Sequence, residues 1–261
     1  MFKEIAGRQF FTVDLGKGTR TFFAHSGWIG TIEDWLPTLE VLSKTWRAVS
    51  YDHRGAGETT APVDEMTSDV LLDDIFRVMD ALQVERCVLG GFSAGAGLAV
   101  RAVSRQPDRF DGLVLMNGTA GARPPDAPTP LDRGLPSTWP GESHSDRMRW
   151  FIEQCTPEPD VEHIRRWGHD FLLRAEPEAA DRLWEIRWGA DPEDFARLAQ
   201  LAIPTLLIHG GRDPFVSTAA VDHLASQLPH AKLKILEESG HLPAMIRPYD
   251  VAGLIIAFFG G

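Results

Sequence analysis

The chain of 261 residues is 43% hydrophobic and 24% charged, which provides for an ordinary globular core and suits one large α/β domain or a domain carrying an insertion. Its net charge of −11 repels phosphate backbones and anionic bilayers, so neither nucleic acid nor a membrane surface is an expected partner. Two cysteines, Cys87 and Cys155, make no disulfide framework at this length, no stretch approaches about 18 uninterrupted apolar residues, and no signal peptide is read after Met1, so a reducing, cytoplasmic setting is expected.

In chain order, residues 2–15 alternate weakly and are expected as antiparallel strands at a sheet edge. Short apolar runs follow at 21–25, 47–52, 86–92 and 110–117, and again at 203–210 and 231–236. They are apolar on both parities, as strands buried on both faces are. Helical spacing separates them. Over 70–82 it places Leu71, Ile75, Val78, Met79 and Leu82 on one stripe. Residues 95–105 are small and apolar, and 219–228 and 249–259 also read as helices. Strands alternating with helices predict a doubly wound, mostly parallel sheet.

The rhythm breaks over 119–199, where no strand pattern occurs. A loop rich in proline and glycine at 121–141 opens this stretch, and helical patterns follow at 145–155, 161–174 and 177–188. It holds five of the eight tryptophans: Trp139, Trp150, Trp167, Trp184 and Trp188. The expected organisation is a core of residues 1–118 and 200–261 with a helical cap at 119–199 folded over the end of the sheet. No internal repeat or low-complexity tract interrupts it.

The sharpest motif is Gly91-Phe92-Ser93-Ala94-Gly95, a G-x-S-x-G between an apolar strand and a small-residue helix. Chain reversal within so few residues lifts the serine hydroxyl to the tip of a strained turn. The flanking glycines let strand and helix approach, and the helix N-terminus favours developing negative charge.

At these residues the chain resembles the serine-nucleophile branch of the α/β-hydrolase fold family, which includes esterases, lactonases and enol-lactone hydrolases. The resemblance runs almost the whole length apart from the details of the insertion. It implies Ser93 as nucleophile. His241, in Glu238-Ser239-Gly240-His241-Leu242-Pro243, resembles the histidine loop and would be the base. Asp213, in Gly210-Gly211-Arg212-Asp213-Pro214, matches the acid loop and would orient that base. The chain order Ser93, Asp213, His241 is the one this fold uses. A rival acid position follows the strand ending at Asn117, but asparagine supplies no carboxylate.

The same resemblance implies an oxyanion hole made by the backbone N–H of Ala94 and a second donor from His25-Ser26-Gly27-Trp28-Ile29-Gly30. That loop resembles the His-Gly-x loop with serine in place of the first glycine. By register the second donor is Gly27, and a shift of one would make it Trp28. Asp52-His53-Arg54-Gly55-Ala56-Gly57 resembles a structural turn of the family. Trp28 and Phe92 are the candidate substrate-binding residues, which suggests an apolar ligand surface. His209 is expected to be structural, and His163 and His169 are candidates only for lining a pocket. No spacing suggests a metal site, and no cofactor is implied.

The leading reading is a serine hydrolase that cleaves a small, partly apolar ester or lactone through an acyl-enzyme. Carbon–carbon bond hydrolysis ranks below it, because such relatives tend to carry tryptophan where Leu242 stands and a more glycine-rich early loop. A cofactor-free haloperoxidase-like activity would use the same serine. Dehalogenase and epoxide hydrolase activities are disfavoured, since those relatives place aspartate at the position of Ser93. A ligand receptor with a slow triad is the alternative outside ordinary enzymes. A binding protein with a dead site is the weakest alternative, and an intact triad argues against it.

Overall fold

The computed structural model describes residues 1–122, 124 and 133–260. The weakly alternating residues 2–15 form β1 (Phe2–Ile5) and β2 (Arg8–Leu15). They are followed by β3 (Thr21–His25), β4 (Arg47–Tyr51), β5 (Cys87–Phe92), β6 (Phe110–Met116), β7 (Thr205–Gly210) and β8 (Ala231–Leu236). Among the described residues these form one sheet in the order β1-β2-β4-β3-β5-β6-β7-β8. β1–β2 and β2–β4 pair antiparallel, and the other pairs are parallel. The expected antiparallel strands at one edge are therefore present.

β3, β5 and β7 are buried at every position, which is why their sequences lack alternation. Helices cover the sheet. α1 (Leu36–Leu42) packs on α10 (Pro248–Phe259), while α2 (Ser68–Ala81), α3 (Gly95–Arg105) and α7 (Pro192–Leu201) form a second group around α3. α2 buries the expected stripe of Leu71, Ile75, Val78 and Met79. It starts before residue 70 because the Thr67 hydroxyl accepts the N–H of Val70 at 3.3 Å, an N-cap. α8 (Thr218–Gln227) packs on β7 and β8, and the short α9 (Pro243–Ile246) leads into α10.

Between β6 and β7 no strand occurs among the described residues, as expected. The chain runs through α4 (His144–Cys155), α5 (Glu162–Leu172), α6 (Pro177–Glu185) and α7. The loop expected at 121–141 lies partly outside the described residues, at 123 and 125–132. α6 ends at Glu185, short of the expected 188, because the chain turns extended at Ile186. α7 was not anticipated, and it crosses the expected boundary at 199/200 to pack on α3 of the core. Its start is marked by a capping box between Asp191 and Asp194, with Pro192 at the first turn.

Trp28, in the loop after β3, ties this helical segment to the sheet. Its indole N–H donates to Ala180 O at 2.8 Å, and its ring packs on Trp139, Phe151 and Trp184 at 5.2, 5.0 and 5.2 Å between centroids. Both cysteines are buried free thiols. No helix of the described residues is long and apolar enough to cross a membrane.

The register brings the strand ends together. His25 pairs with Gly91, Phe92 with Met116, Met116 with Ile208, and Gly210 with Leu236. The loops that leave the carboxyl ends of β3, β5, β6, β7 and β8 therefore meet at one edge, where open α/β sheets bind ligands.

Candidate active site

Ser93 lies in the turn between β5 and α3 with φ of +52°, a left-handed conformation that is uncommon for a residue with a side chain. Its N–H donates to Met116 O at 2.8 Å, which fixes the turn to β6. Gly95 is required by proximity, because a Cβ there would stand 2.3 Å from Ser26 O. The expected elbow is thus a tight crossing of the loop after β3 over the start of α3.

The three residues proposed from sequence meet in a line. His241 Nε2 is 3.0 Å from Ser93 Oγ, and His241 Nδ1 is 2.7 Å from Asp213 Oδ2. The Asp213 side chain is sealed from solvent and His241 is 4% exposed, so water does little to screen this pair. Burial opposes ionisation of Asp213. The His241 imidazole and hydrogen bonds from His241, the Phe215 N–H and Asn117 overcome that and hold its carboxyl below the usual carboxylate range. The N–H groups of Phe215 and Val216 reach its Oδ1 at 2.8 and 3.2 Å.

Asn117 has a role that the sequence reading missed. Its Nδ2 donates to Asp213 Oδ2 at 2.7 Å and to Gly240 O at 3.0 Å, and its Oδ1 accepts the Gly210 N–H at 3.3 Å. An asparagine at the rival acid position cannot replace the carboxylate, but it ties the acid loop to the histidine loop.

The end of α4 and the segment after it provide a second clamp. Cys155 O accepts the His241 N–H at 2.8 Å, and Glu158 Oε1 accepts the Gly240 N–H at 2.5 Å. Pro157 fills the space beside Gly240, where a Cβ would lie 2.2 Å from its Cδ. The histidine loop is therefore held from both sides, by Asn117 below and by the helical segment above.

The proposed oxyanion donors also converge. A Cβ on Gly27 would come within 2.9 Å of Phe92 O, 3.0 Å of Ser93 Cβ and 3.1 Å of Ala94 N. Among the described residues no acceptor takes the N–H of Gly27, Trp28 or Ala94. The Gly27 carbonyl is turned the other way, accepting from Gly30 N at 3.0 Å, with His53 Nε2 2.9 Å from it.

A cavity of about 40 Å³ opens beside Ser93. Trp28 and Phe92 line it, as do Phe151, Phe171 and Leu172 from the helical segment. The tryptophans of that segment do not. Trp139 and Trp184 pack behind Trp28, and Trp188 packs on His25 and His53 at 6.5 and 5.6 Å. Asp34 also lines the cavity and was not singled out in the sequence. Phe92 and Phe215 flank the His241 ring, each at 5.1 Å.

The remaining expectations have plain outcomes. The turn at 52–57 is a scaffold. Asp52 accepts the N–H groups of Ile32 and Glu58 at 2.8 and 2.9 Å, and Arg54 pairs with Asp74 at 2.5 Å. His209 is buried at the end of β7. His169 is 3.1 Å from the Ser145 hydroxyl and does not line the cavity, and neither does His163. No group of three or more metal-binding side chains occurs among the described residues.

Comparison with known proteins places this geometry in context. A Caulobacter vibrioides protein, whose name of carbamate hydrolase RutD is itself provisional, is 32% identical over 98% of this chain and 92% of its own. The 3-oxoadipate enol-lactonase 2 of Acinetobacter baylyi is 26% identical, over 90% of this chain and 86% of its own. The structure of the esterase EaEST from Exiguobacterium antarcticum superposes with a TM-score of 0.87 at 19% identity, covering 99% of this chain and 98% of that one, a likeness of fold. The model of the alpha/beta hydrolase fold matches residues 21–248, and the chain belongs to that family of hydrolases.

Proposed function

We propose that the protein is a serine hydrolase that cleaves a small, partly apolar ester or lactone through an acyl-enzyme. The observation that carries this reading is the unbroken line from Ser93 Oγ to His241 Nε2 at 3.0 Å and from His241 Nδ1 to Asp213 Oδ2 at 2.7 Å. In this reading Ser93 Oγ attacks the carbonyl carbon while its proton passes to His241 Nε2. Asp213 stabilises the imidazolium through Nδ1. The carbonyl oxygen, now an anion, rests on the N–H groups of Gly27 and Ala94. The imidazolium then gives its proton to the leaving alkoxide. Water, deprotonated by His241, releases the acid and restores Ser93.

The aromatic and aliphatic lining of the cavity supports a partly apolar substrate. The segment from α4 to α6 acts as a cap over this site, because it supplies Phe151, Phe171 and Leu172 to the lining. Carbamates are the second reading. The relative named as a carbamate hydrolase is 32% identical, and a carbamate carbonyl would meet the same nucleophile and donors.

Steady-state hydrolysis of p-nitrophenyl acetate and butyrate tests the proposal, with Ser93→Ala as blank. The expected result is many turnovers per protein molecule and none in the variant. A single stoichiometric burst would favour a ligand receptor built on this fold. Turnover that survives in Ser93→Ala would remove the serine from the mechanism.

A further inference from the structure

One polar side chain in the cavity has no part in the acyl-transfer chemistry. Asp34 stands in the short helical turn after Thr31, is 4% exposed and lines the cavity beside Ser93. Its Oδ2 has no hydrogen-bond partner among the described residues. Among the described residues no salt bridge reaches Asp34; Arg174 pairs instead with the neighbouring Glu33 at 2.7 Å and with Glu58 at 3.8 Å. Gly30 makes the room: a Cβ on it would stand 2.1 Å from Asp34 Oδ2.

A buried carboxyl with one oxygen left without a partner is unfavourable unless something in the functional cycle completes it. Burial, with the Glu33 and Asp52 carboxylates nearby, pushes Asp34 up to about 8 against the opposing contacts of Ser26 and the Thr31 backbone. At neutral pH the group is therefore a carboxylic acid, with one O–H to donate and a carbonyl oxygen to accept. A hydroxyl, which both donates and accepts, matches it. A cation or a carboxylate does not.

We propose that Asp34 selects substrates that carry a hydroxyl group on the acyl chain or lactone ring, by hydrogen-bonding that hydroxyl in the cavity beside Ser93. This rests on the serine-hydrolase reading above. A site built around an unpartnered polar group discriminates against the analogue that leaves it unpaired.

The test compares p-nitrophenyl butyrate with its 2-hydroxy and 3-hydroxy counterparts in the wild-type, Asp34→Asn and Asp34→Leu proteins. The readout is the ratio of kcat/KM for each hydroxylated ester to that for butyrate. In the wild type this ratio for the better hydroxy ester exceeds unity by about tenfold, the size of one buried hydrogen bond. It collapses in Asp34→Leu and stays within about threefold in Asp34→Asn, whose amide also donates and accepts. A ratio equal in all three proteins overturns the proposal.

Stability against pH supplies a second readout. The raised pKa of Asp34 stabilises the wild type fully below about pH 4, and that contribution is lost as pH rises to about 8. Asp34→Asn is therefore more stable than the wild type by a margin that widens from about pH 5 to about pH 8. A margin that does not change with pH would overturn the neutral carboxyl and the proposal with it. Fluorophosphonate labelling of the same preparations separates the two claims. Labelled Ser93 with an unchanged ratio sinks the role of Asp34 alone, whereas unlabelled Ser93 sinks the hydrolase reading.

Discussion

Replacing Asn117 with alanine removes one side chain that touches both loops of the candidate triad. Three hydrogen bonds go: to Asp213 Oδ2 at 2.7 Å, to Gly240 O at 3.0 Å and from the Gly210 N–H at 3.3 Å. The first meets a carboxylate and is worth about 2 kcal/mol, while the two neutral bonds are worth about 1 kcal/mol or less each. Asn117 also has φ of +48°, which asparagine tolerates better than alanine. The expected loss of stability at neutral pH is about 3–4 kcal/mol. Part of it depends on pH. Asp213 is held below the usual range, so its stabilisation is present above the free-chain value of about 4 and is lost as pH falls through the depressed value. Without Asn117 that depression shrinks, so the wild type and the variant converge below about pH 4. Urea unfolding at several pH values measures this directly. A loss below about 1 kcal/mol at neutral pH would refute the reasoning, as would a difference that persists undiminished into acid.

Other perturbations probe neighbouring parts of the site. Gly27→Ala forces a methyl to within 2.9 Å of Phe92 O and 3.1 Å of Ala94 N, displacing both proposed oxyanion donors. Its kcat for p-nitrophenyl esters should fall about a hundredfold with KM little changed, and an unaltered kcat would remove Gly27 from the hole. Glu158→Ala strips the Gly240 N–H of its 2.5 Å acceptor and loosens the peptide that carries His241. A drop in kcat of about tenfold is expected, restored by Glu158→Gln, whose amide oxygen can still accept. Equal activity in all three proteins would show that the clamp does not position the imidazole.

Much of this architecture could be read from residue patterns because it depends on local rules. The runs that became β3, β5 and β7 are apolar on both parities because they are buried on both faces. The elbow was legible because glycine, serine and glycine are what a tight strand-to-helix crossing tolerates. α1 escaped notice because its seven residues span only two turns, too few for a periodicity to emerge. The contacts of Asn117 and Glu158 were hidden for another reason. Each joins segments far apart in the chain, such as Glu158 with Gly240, and no local pattern encodes such a contact. The crowding of tryptophans in the helical segment does not by itself tell lining from bracing: Trp139 and Trp184 pack on Trp28, while phenylalanines and a leucine line the cavity.

The central claim, that Ser93 is a nucleophile activated by His241, is open to one direct measurement. A fluorophosphonate probe followed by intact-protein and peptide mass spectrometry should give a single adduct on Ser93. The adduct should be absent in Ser93→Ala and form about a thousandfold more slowly in His241→Ala. An adduct on another residue, or labelling of Ser93 at the same rate without the imidazole, would contradict it.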